Sequence, residues 1–225
     1  MNNSVTRIIS AILLTALWGS MLGIAQERKD EIADFRAKGY SVVATTPIFS
    51  QIVLMSYPSS FRPAHENRSG SQYIQESVPE GETVEKWSQM ITLTGAKGLA
   101  ANPKATPQLL AQQIAGGFQR ACPASYSGKG LGNFKVGEHE AFMALAGCGS
   151  VQIGPPRSEI ALLIVIKGSD DYYTIQWAER GQPLNQPPVL DDSKWSARFK
   201  QLNPIKLCNR VPNEQAPYPS CVDQK

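Results

Sequence analysis

Few side chains in this sequence have the types and spacing that chemistry would need. Asp170-Asp171 is a pair of adjacent carboxylates inside Lys167-Gly168-Ser169-Asp170-Asp171-Tyr172-Tyr173. Such a pair could hold a cation or share acid–base work. Aspartates in a tight turn are equally ordinary turn chemistry, because the side chain bonds its own backbone. The chain has 2 histidines, His65 and His139. A Ser/His/Asp triad would have to use one of them, and no flanking motif supports either. Gly128-Lys129-Gly130-Leu131-Gly132 lacks the spacing of a phosphate loop, and Gly147-Cys148-Gly149-Ser150 is not a nucleophile elbow. No residue is identified as catalytic.

The 4 cysteines, Cys122, Cys148, Cys208 and Cys221, offer a clearer signal. There is no C-x-x-C, and neither histidine has ligand-like spacing to a cysteine, so no metal and no cofactor are expected. An even count in an exported chain argues for disulfides. Cys122–Cys148 and Cys208–Cys221 are the favoured pairs, because each closes a moderate loop within one region. Each would contribute ~3 to 3.5 kcal/mol in the chain-entropy picture.

Export itself is read from the N-terminus. Arg7 precedes the apolar run Ile8 to Trp18, no charge follows until Glu27, and Gly23-Ile24-Ala25 offers small residues for cleavage. Residues 1–25 are expected to be a secretory signal peptide, the rival being an uncleaved anchor. The mature chain would be periplasmic or secreted, with no membrane span. Its net charge, +3 for all 225 residues, falls to about +2 without Arg7, too near balance to suggest nucleic acid.

The elements that must position any site follow from periodicity. Ser158 to Trp177 reads as a hairpin. Ile160 to Ile166 has no polar side chain, so both faces of that strand must be covered, whereas the second strand alternates. Tyr173, Ile175 and Trp177 share one face, and Tyr172, Thr174 and Gln176 the other. If no helix covers one side, the aromatic strand could line a binding groove, which makes Tyr172, Tyr173, Trp177, Asp170 and Asp171 the candidate binding residues. Core packing is the competing account of the same aromatics.

Elsewhere, Ser50–Tyr57, Ser71–Val78, Gln89–Thr94 and Glu140–Cys148 read as strands, and Ser59–Gly70 and the glycine-rich 125–132 as loops. Thr83 is expected to cap one or two helical turns through Trp87. Thr106 and Pro107 open a helix with Leu110, Ile114 and Phe118 on one stripe. The Gly116-Gly117 pair within it is read as a sign of close packing on the sheet. Asp191 or Asp192 caps a second helix carrying Trp195, Phe199 and Leu202, which stops at Asn203-Pro204.

The expected organisation is a signal peptide (1–25), a charged N-terminal arm (26–47), one α+β domain (48–203) and a proline-rich, disulfide-tied tail (204–225). The fold class is α+β: a central antiparallel sheet with helices on both faces, an α/β/α sandwich stapled by disulfides. This order of elements, over about residues 48–203, resembles the PsbP-like sandwich of photosystem extrinsic subunits and bacterial envelope proteins. Ser77 to Trp87 and Lys167 to Tyr173 also look like segments of exported bacterial proteins. The resemblance implies a fold and carries over no functional residue. The function expected is an exported, non-catalytic domain that binds a protein or an envelope component. The alternatives are a small-ligand carrier and, behind it, a hydrolase using His65 or His139.

Overall fold

A computed structural model describes residues 41–151 and 154–223 of the chain. The segment expected to be a signal peptide and most of the expected charged arm lie outside the described residues. Among those described there are ten strands, three α-helices and a short 3-10 turn, so the protein is mostly sheet with few helices.

The hairpin read over Ser158 to Trp177 forms as its pattern demands. β8 (Ser158–Lys167) and β9 (Tyr172–Gly181) pair antiparallel, with Lys167 opposite Tyr172 across a four-residue loop. They sit inside a seven-stranded antiparallel sheet of order β3-β4-β5-β9-β8-β7-β6. Its other members are β3 (Phe61–Ser69), β4 (Gln72–Pro79), β5 (Gln89–Ala96), β6 (Tyr126–Val136) and β7 (His139–Cys148). Ala161 to Ile166 of β8 are completely buried. Leu162, Ile164 and Ile166 face one core, and Ala161, Leu163 and Val165 face the other.

The two faces are covered differently. Helix α1 (Pro107–Ala121) lies on one face over β7, β8 and β6. The other face carries a second sheet of order β1-β2-β10, built from β1 (Val42–Ile48), β2 (Gln51–Tyr57) and β10 (Lys206–Asn209). Helix α2 (Asp192–Leu202) packs on β2, and its Trp195 and Leu202 complete that core. A sandwich with helices alone on both faces is therefore not what is seen, because a three-stranded sheet takes much of one layer. Val42–Ile48, all but its last residue within the expected arm, and Lys206–Asn209, within the expected tail, are both strands of it.

Three further expectations are corrected. Ser59–Gly70 and 125–132 were expected to be loops, yet they hold β3 and most of β6. Both are edge strands with long exposed stretches, and an edge strand that buries few of its residues carries little alternation to betray it. No helix follows Thr83. Instead Thr83 and Lys86 exchange backbone hydrogen bonds in a tight turn. The glycine pair of α1 is not forced by close packing, since a Cβ at Gly116 or Gly117 would meet only the Arg120 guanidinium, at 3.2 and 3.9 Å.

Both helices start as the sequence indicates. Thr106 caps α1 by accepting the Leu109 N–H, and Asp191 caps α2 by accepting from Ser193 and Lys194. The disulfides pair as favoured. Cys122–Cys148 ties the C-terminus of α1 to the end of β7, and Cys208–Cys221 ties β10 to the short helix α3 (Pro219–Val222).

Candidate functional site

The β8–β9 turn brings Asp170 and Asp171 to one end of the large sheet, where they separate. Asp170 is exposed, and its carbonyl accepts the Ala100 N–H. Asp171 is 1% exposed. One carboxylate oxygen accepts from the N–H of Ser50 at 3.1 Å, its hydroxyl at 2.6 Å and the Tyr173 hydroxyl at 3.2 Å. The other accepts from the Gly98 N–H at 2.7 Å. Burial alone would raise this carboxyl, but the hydrogen bonds from Ser50, Gly98 and Tyr173 outweigh it and hold it below the ordinary range. The pair is thus not a shared carboxylate site. Asp171 is a clasp that joins three turns.

Gln51 completes this end. Its side-chain oxygen accepts the Ser169 N–H at 2.9 Å, and its nitrogen lies 3.2 Å from Asn209 Oδ1 and 3.3 Å from His139 Nε2. His139 is thereby engaged in a structural network. His65 is exposed on edge strand β3. Among the described residues no group of three or more His, Cys, Asp and Glu stands together as a metal site would need.

Of the aromatics, Tyr173 and Trp177 face the core shared with the small sheet. Trp177 Nε1 donates to Gln89 Oε1 at 3.0 Å, and Phe61 meets the ring edge-on at 5.5 Å. Neither presents a surface. Tyr172 points to the opposite side, toward α1, and donates its hydroxyl hydrogen to the Ala105 carbonyl at 2.7 Å.

That opposite side is where the sheet is open. Helix α1 covers β6, β7 and β8 and stops short of β9, β5 and β4. The register places Thr174, Thr94 and Ile74 in one row across these strands, and Gln176, Thr92 and Glu76 in the next. All six are part-exposed. The face ends at Arg180, whose guanidinium pairs with Glu159 at 3.1 Å and stands 3.5 Å over the Trp87 ring. Toward the other end, where the face meets α1, lies a cleft of about 270 Å³. Its floor is Thr94, Ala96, Tyr172 and Thr174, its wall Leu110, Gln113 and Ile114, and Leu99 closes it.

Of the five candidates, then, Tyr172 lines this cleft, Asp170 is exposed, and Asp171, Tyr173 and Trp177 are buried. The residues that line the open face, above all Thr92, Thr94 and Gln176, were not singled out from the sequence. The signal was present in β5, where Ile91 and Leu93 face one way and two threonines the other.

No known protein-family model matches the chain, and no curated protein resembles it in sequence. Similar solved structures include the Ran-binding protein Mog1p of Saccharomyces cerevisiae, at 12% identity and a TM-score of 0.40 over 72% of this chain and 86% of that one. A mutant of the protein Mog1 gives 12% and 0.40 over 72% and 85%. LpqN of Mycobacterium tuberculosis, described as involved in cell envelope biogenesis, gives 15% and 0.43 over 79% and 96%. These do not confirm the PsbP-like likeness, and at such identities they assign no activity.

Proposed function

We propose that the chain is an exported, non-catalytic binding domain whose partner, a protein of the same compartment, docks on the open half of the large sheet. The observation that carries this reading is the row structure of that face. Thr94, Thr174 and Ile74, then Thr92, Gln176 and Glu76, are left part-exposed by α1 while the neighbouring strands are sealed. Hydroxyls, amides and one carboxylate on a sheet surface suit contact with another macromolecule. The Trp87–Arg180 stack at its edge supplies the residue types that most often anchor interfaces.

Export rests on the leader read in residues 1–25. It is supported by two disulfides, bonds that persist where thiols are not kept reduced. A hydrolase reading finds no support in the placement of His65 and His139, since neither lines the cleft.

The test is site-specific crosslinking. A photo-reactive residue replacing Thr92 or Gln176 in the full-length chain, in its native compartment, should yield one discrete adduct identifiable by mass spectrometry. The same residue at Gln112, exposed on the outer side of α1, should not. Equal adducts at all three positions, or none at Thr92 and Gln176, would rule this surface out.

A further inference from the structure

The cleft between α1 and the sheet has a chemistry of its own. We infer that it is a binding site for a small uncharged amphiphile, a short apolar chain or single ring carrying a neutral hydrogen-bonding head.

Four observations lead there. The cleft is open to solvent and has a volume of about 270 Å³. That volume lies just under the ~300 Å³ at which pockets for larger ligands begin, so the occupant is small. The lining is Ala96, Leu99, Leu110, Ile114 and the Tyr172 ring, with Thr94, Thr174 and Gln113 as its polar members. The Tyr172 hydroxyl is already committed to Ala105, so this residue presents its ring.

The polar members decide the head group. Thr94 Oγ1 and Thr174 Oγ1 lie 2.6 Å apart. One hydroxyl hydrogen spans that gap, and the other is left to donate into the cleft, alongside oxygen lone pairs that can accept. Gln113 adds an amide that both donates and accepts. Among the described residues, no charged one lines the site. A carboxylate or ammonium placed there would give up part of its hydration and gain no counter-ion from this lining, while a hydroxyl or amide would find both kinds of partner. The tail would lie against Leu110, Ile114 and Tyr172, and a bulkier head could extend over Thr92 and Gln176.

This site shares Thr94 and Thr174 with the edge of the docking surface, but it rests on its own lining and is tested separately. Crosslinking at Thr92 tests one and ligand titration the other. The probe is n-octyl β-glucoside below its micelle concentration, followed by amide NMR shifts of the mature chain. Saturable shifts confined to Ala96, Leu110, Ile114, Thr174 and their neighbours are expected. Octanoate and octyltrimethylammonium, equal in tail and opposite in charge, should bind at least tenfold more weakly. Ile114→Trp, a half-exposed helix position chosen to fill the cleft, should keep the melting temperature and lose the saturable shifts. Thr174→Val, which keeps shape and removes the hydroxyl, should weaken the glucoside more than it weakens octane-like tails. The inference is overturned if the glucoside shifts are non-saturable or scattered, if octanoate binds as tightly, or if Ile114→Trp binds unchanged.

Discussion

Asp171 holds its carboxylate where four donors converge, and among the described residues no cation pairs with it. A hydrogen bond to a charged acceptor contributes more than a neutral one, and leaving the donors unmet costs about 1–3 kcal/mol. Asp171→Asn keeps the shape but replaces one acceptor oxygen with a donor aimed at N–H or O–H groups. It should destabilise by about 2 kcal/mol in urea denaturation. The pH dependence has a definite sign. Because the folded carboxyl lies below its unfolded value, its contribution is fully present above the ordinary carboxylate range, about pH 4, and is lost as pH falls through the folded value. The melting-temperature gap between wild type and Asp171→Asn should therefore be widest near neutrality and close in strong acid. A gap independent of pH would show that packing, not charge, sets the effect. None of this was legible in the sequence. Ser50 lies 121 residues from Asp171, and the turn grammar that placed Asp171 at a hairpin tip says nothing about what folds over the tip.

Among the elements, those with a buried stripe were legible and those without one were not. β8, β9, α1 and α2 each present an apolar pattern of definite period to a core, and periodicity is the sequence record of burial. β3 and β6 lie at the two edges of the sheet. Their charges, Pro63 and glycines serve to discourage further pairing, which makes them look like loops. β1 was hidden by Pro47 and by the charged residues before it. Gly116 and Gly117 are a different case, where the helix was recognised and the reason for its glycines was not. With no backbone close by, Gly117→Ala should stabilise by about 0.5–1 kcal/mol through helix propensity. A destabilising result would mean that α1 approaches its neighbours more closely than it does here. The position of α1 also depends on Cys122–Cys148, which pins its C-terminus to β7. Replacing both cysteines with alanine should cost ~3 to 3.5 kcal/mol, and it should blur octyl glucoside binding by freeing the wall of the cleft.

For the whole molecule, the governing fact is asymmetry between the two faces of one sheet. The face toward β1, β2, β10 and α2 is sealed along β9 and β5, whereas the face toward α1 is sealed only over β7 and β8. Neighbouring residues of β5 record this directly. Leu93 is completely buried, and Thr92, one position away, is part-exposed opposite Gln176 and Glu76. A lysine at each position measures the difference. Leu93→Lys would bury an ammonium with no partner, a loss of several kcal/mol against a total stability of roughly 5–15 kcal/mol, and the chain should fail to fold. Thr92→Lys reaches solvent and has Glu76 across the strand pair, so its stability should stay within about 0.5 kcal/mol of wild type. It would nonetheless place a bulky charge in the middle of the open rows. The two properties should therefore part company in this variant, with melting temperature and near-ultraviolet circular dichroism retained and the partner adduct formed through Gln176 lost. If Thr92→Lys unfolds the protein, that face is covered and the docking surface must lie elsewhere. If it folds and the adduct persists undiminished, the face is open and is not where the partner binds.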